Sequence, residues 1–219
     1  YEELMRKAKI AAGKTLLYRE PPHYITLGKE LPAKALDEIL IDHAEVFTEL
    51  KEYYKQTRES DTTKISFYED TYSLYNLYRF AHYYEEAYGK YIWLKSGASL
   101  VIEHTEAMTV IDVNTGSVLK KKKQEDTLFY QINREAAKEI ARQLRLRNIS
   151  GIIMIDFINM KDTAQKEKLL SLLDSECKKD RVHCNVIDMT ALNLVEMTRS
   201  KVRKPLHEQI RSCMKNNRS

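Results

Sequence analysis

The hydrophobic pattern of this 219-residue chain changes character near residue 90. Before it, apolar positions are sparse and punctuated by Pro21-Pro22 and Pro32. The short β-prone pieces Tyr24–Leu27 and 38–42 read as strands. Residues 43–56 repeat Val46, Leu50, Tyr53 and Tyr54 at i, i+4, i+7 and i+8, which predicts a helix. Tyr72, Tyr75 and Tyr78 fall beside Leu74 and Leu77 at helical spacing. Such tyrosines usually pack a small aromatic core, although a tyrosine cluster can also stack nucleobases.

After residue 90 the pattern is denser. Residues 92–94, a turn at Gly97 and residues 99–103 predict a strand, turn and strand, with a further strand over 108–112. A polar loop over 115–126, containing Lys120 to Lys123, follows. Asn133 reads as a helix N-cap with Glu135 in the first turn. The helix from Arg134 to Arg147 then places Ala136, Ala137, Ile140, Ala141 and Leu144 on one face. Residues 152–155 are apolar at every position, as in a strand buried on both faces. A second helix over 164–179, short strands at 184–187 and 194–197, and a basic helix from Arg199 onward complete the pattern. This strand–helix–strand order predicts an α/β fold with a mixed or parallel sheet under helical cover.

Two of these strands end on an aspartate, Asp112 and Asp156. An ionised carboxylate at the end of a buried strand is costly unless it is hydrogen-bonded, paired or bound to a cation. Asn114 projects the same way as Asp112 by strand alternation. Two carboxylates and a carboxamide at the mouth of one sheet suit Mg²⁺, and Mn²⁺ suits the same oxygens. Such an ion would activate water for attack at phosphorus. Taken singly, either aspartate is more often a helix N-cap or turn former; the two in matching contexts are what raise the metal reading to equal standing. Glu106 is a candidate outer carboxylate of the same site.

Composition adds bounds. Three cysteines without CxxC spacing suggest a reducing, cytoplasmic setting, and no apolar run reaches the length of a membrane span. The net charge of +4 permits a polyanionic partner. Local charge says more: the segment from Arg199 to Ser219 holds seven Lys or Arg against one acid, Glu208. Arg134, Lys138, Arg142 and Arg145 on the central helix, with Arg199, Lys201 and Arg203 in the tail, are the candidates for holding a nucleic-acid backbone. No phosphate-cradling glycine loop and no GxSxG nucleophile elbow occurs.

Residues 15–211 also resemble the catalytic region of the ribonuclease E/G family of single-strand-specific endoribonucleases. The resemblance is densest in TEAMTVIDVNTG (105–116), NREAAKEIARQLRLRNISGIIMIDFINM (133–160), KKDR (178–181) and LVEMTRSKVR (194–203). It implies that Asp112 and Asp156 bind Mg²⁺, that Asn114 assists, and that single-stranded RNA is the substrate. It further implies an RNase H-like subdomain over 20–89 and a deoxyribonuclease-I-like subdomain over 90–200. Residues 1–19 then resemble the tail of an upstream region, and 201–219 form a basic C-terminal helix. The family's OB-fold RNA-binding module and 5′-monophosphate pocket lie upstream of the resembling region, so weak RNA affinity is expected without them. His183 stands where the family commonly has a second arginine after its KDR motif. Many members share zinc between subunits through a CPxC pair. Here Cys213 is followed by Asn216 at the second position, so no structural zinc and no zinc-linked dimer are expected, and the oligomeric state is left open. The alternative is an RNA-binding or scaffold module that keeps the fold without cutting.

Overall fold

The structure is a computed structural model and describes residues 2–11, 13–18, 21–30, 36–58, 62–116 and 125–216. The four-lysine run and the last three residues of the basic tail lie outside them. The chain divides into two compact units, Tyr1–Arg79 and Phe80–Ser219, so the change of pattern near residue 90 falls slightly inside the second unit.

In the first unit, helix α1 (Glu2–Ile10) is followed by α2 (His23–Glu30), β1 (Glu38–Ile41), α3 (Ala44–Thr57), β2 (Lys64–Phe67) and the short α4 (Leu74–Leu77). Strands β1 and β2 pair in parallel, with α3 as the crossover. Ile25, Ile41, Leu50 and Tyr54 form the core. Residues 24–27, expected as a strand, belong instead to α2. The Pro22 carbonyl accepts from the N–H groups of Ile25 and Thr26, so the proline opens a helix that outweighs the β-prone Tyr-Ile-Thr. A Cβ on Gly28 of α2 would meet Leu50 and Tyr54 of α3 at 3.2 and 3.3 Å, so glycine allows the two helices this approach. Tyr72, Tyr75 and Tyr78 do not build the expected aromatic core; each stands about half exposed.

The second unit opens with α5 (Phe80–Tyr88). It continues through β3 (Tyr91–Trp93), β4 (Ser99–His104), β5 (Met108–Asn114), α6 (Glu125–Leu146), β6 (Gly151–Asp156), α7 (Thr163–Cys177), β7 (Cys184–Met189), β8 (Leu194–Arg199) and α8 (Leu206–Asn216). The six strands lie in the order β3-β4-β5-β6-β8-β7. Only β5 and β6 run parallel, joined through α6; every other pair is antiparallel. The sheet is therefore mixed and flanked by helices.

Its two faces differ. Leu100 and Ile102 of β4, Ile111 and Val113 of β5, Ile153 and Ile155 of β6, and Val195 and Met197 of β8 point to one face. They are buried with Ile132, Ala136, Ile140 and Leu144 of α6 and Leu169 and Leu173 of α7. The alternate positions point away from this core. Ile152, expected to be buried with its neighbours, is 50% exposed, so β6 is covered on one face only. Helix α6 begins at Glu125, eight residues before the expected cap. Asn133 is a fully buried mid-helix residue. It donates through Nδ2 to the Ile158 carbonyl and accepts at Oδ1 from the Ile158 N–H, 2.7 and 3.0 Å away.

Arg199 closes β8 rather than opening a basic helix. Only 4% exposed, its guanidinium donates to Asp180 Oδ2, Asn148 Oδ1 and the Ile149 carbonyl, each at 2.9 Å. That arrangement corrects its assignment to RNA contact, because a charge buried and donated three ways has little left for a phosphate. Burial alone would raise the Asp180 carboxyl, but the hydrogen bonds from Arg199 and the Val182 N–H hold it below the ordinary carboxylate range. The stability carried by this lowered group is present above the unfolded carboxylate pKa and is lost as pH falls through the folded value. Arg199→Ala should cost about 3–5 kcal/mol by stranding the buried Asp180 charge. Urea unfolding at neutral pH measures this, and the wild-type advantage should shrink towards pH 3.

Candidate metal centre

Strands β5 and β6 bring the two aspartates together. In their parallel ladder Asp112 stands directly opposite Asp156, one strand spacing of about 4.8 Å away. Both point to the face that the helices leave uncovered, since Ile111, Val113 and Ile155 beside them are buried on the other. Asn114 follows on the same face and donates through Nδ2 to Asp112 Oδ2 at 2.7 Å.

The surrounding backbone is firmly held. Asp156 lies between buried Ile155 and buried Phe157, and the Asn133 amide clamps the next residue, Ile158. At the other strand end, Gly116 has φ +55°, and a Cβ there would meet the Gly97 carbonyl oxygen at 2.5 Å. Only glycine lets the chain leave β5 so close to the β3–β4 turn. Glu135 of α6 holds that turn by accepting from the Lys95 and Ser96 N–H groups at 2.7 and 3.3 Å. Its role is to fix a loop, not to cap a helix.

Burial and the nearby Asp112 charge raise the Asp156 carboxyl above its ordinary range. Like charges across one ladder rung are mutually unfavourable, and a cation bound between them would remove that penalty. Among the described residues no group of three or more His, Cys, Asp or Glu side chains gathers to hold a metal. A two-carboxylate set with one amide therefore suits a hard cation that keeps several waters and accepts substrate oxygen, the coordination habit of Mg²⁺.

The other candidates are dispersed. Glu106 sits in the β4–β5 turn, at the far end of β5 from Asp112, and cannot serve as an outer carboxylate there. Arg134, Lys138, Arg142 and Arg145 ride on α6, whose apolar stripe packs against the opposite face of the sheet. Arg142 is engaged by Glu86 and Glu139, Arg145 reaches the Glu176 carbonyl, and Arg134 lies over the Tyr130 ring. Lys201 and Arg203 are exposed beyond β8, with Lys201 3.5 Å from Glu208. The open face itself carries Asp112, Asp156, Glu103, Glu196 and Asp188, while the sole Lys or Arg on these six strands, Arg199, is on the buried face.

Residues 1–202 match the sequence profile of the Ribonuclease E/G family. The chain belongs to that family. It is 37% identical over 203 residues to Ribonuclease G of Haemophilus influenzae, covering 93% of this chain and 41% of the relative. Ribonuclease G of Escherichia coli K12 is 34% identical, with 94% of this chain and 42% of the relative covered. Ribonuclease E of a Nostoc species is 30% identical over 95% of this chain and 31% of its own length. The chain thus spans about two-fifths of the Ribonuclease G relatives it matches.

Two outcomes test this geometry. Asp112→Asn should lower the pH at which Asp156 titrates, because one of the two causes of its elevation is gone; carboxyl ¹³C NMR reads this directly. Asn133→Ala should cost about 2–4 kcal/mol by leaving both backbone groups of Ile158 without their partner, as measured by urea unfolding.

Proposed function

We propose that this protein is a Mg²⁺-dependent endoribonuclease that hydrolyses phosphodiester bonds in single-stranded RNA, as in RNA processing or decay. The observation that carries the reading is the pairing of Asp112 with Asp156 on one rung of a parallel ladder, on a face without a strand cation, in a Ribonuclease E/G family chain. An acidic face of this kind repels a polyanion unless a cation intervenes. Mn²⁺ can substitute for Mg²⁺ at the same oxygens.

In this reading Asp112 and Asp156 hold the cation. Bound Mg²⁺ would neutralise charge developing on the phosphate and acidify a coordinated water. The Asn114 amide, tied to Asp112 Oδ2, orients that carboxylate and offers its remaining hydrogen-bonding capacity to a phosphate oxygen or water. Asn133 and Gly116 keep the two strand ends at fixed separation, because positional error in the holding groups is expensive in rate. Lys201, Arg203 and the exposed cations of α6 would supply non-specific attraction to the strand from outside the carboxylate face.

The six-stranded mixed sheet with its helical cover supports reading the second unit as the deoxyribonuclease-I-like catalytic subdomain. The β1-α3-β2 unit is in turn read as part of the RNase H-like subdomain.

Cleavage of a fluorescent single-stranded RNA tests the proposal. Activity should require Mg²⁺, vanish in EDTA, and fall by about 10²–10³-fold or more in Asp112→Asn and Asp156→Asn. Mg²⁺ should also raise the melting temperature of the wild type but not of Asp112→Asn, by mass action on the folded state. Cleavage that persists undiminished in both variants, or in EDTA, overturns the assignment. Tight RNA binding without cleavage at high protein concentration favours a binding module instead.

A further inference from the structure

We propose that Tyr91 and Trp93 form a stacking platform for a nucleobase of the RNA strand whose scissile phosphate lies at Asp112 and Asp156, an inference that rests on the ribonuclease reading above. Strand β3 alternates sharply. Ile92 is buried in the core, whereas Tyr91 and Trp93 point to the uncovered face and are 60% and 73% exposed.

The ladder places them in line with the metal centre. Tyr91 stands opposite Val101, Val101 opposite Asp112, and Asp112 opposite Asp156, so the four form one rung across the sheet. On the next rung Trp93 faces Ser99, and Ser99 faces Asn114. On this face Tyr91 is therefore two strand spacings, about 10 Å, from Asp112 and three from Asp156, and Trp93 is two spacings from Asn114. That is the reach of a nucleotide next to the one being cut.

The electrostatics decide which part of the strand docks there. Glu103, Asp112, Asp156, Glu196 and Asp188 share this face, and no strand position on it is cationic. Phosphates are unwelcome away from a bound cation, so the strand must be gripped through its uncharged bases. An indole presents a flat apolar surface of the required size, and stacking on it tolerates any base because each has a π-face. Lys90 marks the rim: it lies 5.7 Å from the Tyr91 ring centroid and is paired with Glu103, next to where a flanking phosphate would pass. A purely apolar protein partner fits less well, because seating it over Trp93 would desolvate the adjacent carboxylates.

Trp93 is the only tryptophan of the chain, so its fluorescence reports the platform alone. A short, end-labelled single-stranded oligoribonucleotide is titrated with Ca²⁺ in place of Mg²⁺, following both label anisotropy and tryptophan emission. Emission should be quenched in step with binding. Trp93→Leu should weaken affinity about tenfold, within the range for loss of one base–aromatic stack, and Trp93→Phe by much less. An oligonucleotide abasic at a single nucleotide beside the cleavage site should lose the same affinity towards wild type and nothing further towards Trp93→Leu. The abasic strand and Trp93→Phe keep the test decisive if the leucine variant fails to fold.

If RNA binds and is cut in Mg²⁺ while emission and the Trp93→Leu affinity stay unchanged, the platform is overturned and the nuclease reading stands. If the strand is neither bound nor cut, the nuclease reading falls and the platform falls with it. If emission instead changes with protein concentration in the absence of RNA, a second copy covers this face and the platform is overturned.

Discussion

The parallel register of β5 and β6 is the constraint on which the rest of the second unit depends. Because strand side chains alternate with period two, slipping this pair by one residue would send Asp112 or Asp156 into the apolar core. The opposite face forbids the slip. Ile111 and Val113 of β5 and Ile153 and Ile155 of β6 are all nearly inaccessible beneath α6 and α7. Burying four such side chains is worth about 1.5–3 kcal/mol each, more than enough to hold two carboxylates in an unfavourable juxtaposition. The core thus fixes the site's geometry from behind.

The same asymmetry divides the unit's charges. Helix α6 carries its arginines over the helical layer, where Glu86, Glu139 and backbone carbonyls engage them. The open sheet face keeps carboxylates and aromatics. The chain's net charge of +4 therefore says little about the local potential at Asp112. Under the proposed function, long-range attraction to a polyanion would coexist with short-range repulsion from the site, and a bound divalent cation would reconcile them.

The two strands and the placement of their aspartates were legible in the sequence because a β-branched run leading into Asp is a strong local signal, repeated here at Asp112 and Asp156. Their pairing through one long helix followed from strand–helix–strand order. What failed was tertiary. Asn133 has the side chain of a good N-cap, but its hydrogen-bonding capacity is used across space, on Ile158, inside a helix that starts at Glu125. Arg199 looked like part of a solvated basic tail, since charge pattern carries no information about a buried partner such as Asp180. Residues 24–27 were read by β-propensity, which a proline at a helix start overrode. The all-apolar run 152–155 suggested two covered faces, although only alternate positions are buried. Trp93 drew no attention because three residues are too few to display alternation.

The elevated Asp156 carboxyl ties stability to chemistry. A carboxyl group whose pKa is raised on folding holds its proton more tightly in the native state, so the fold loses stability as pH rises from the ordinary carboxylate range through the raised value. Above that value the Asp156 carboxylate faces the Asp112 charge on one rung, a repulsion that a proton relieves and that a bound cation would relieve in its place. In the reading proposed above, a cation held between them would compete with the proton according to the concentration and affinity of each, so acid would oppose its binding. Replacing either aspartate by asparagine removes the repulsion and, in that reading, one of the cation's two carboxylate ligands. The juxtaposition that the core imposes on this rung is what, in the proposed reading, would let the site take a metal and through it a phosphate.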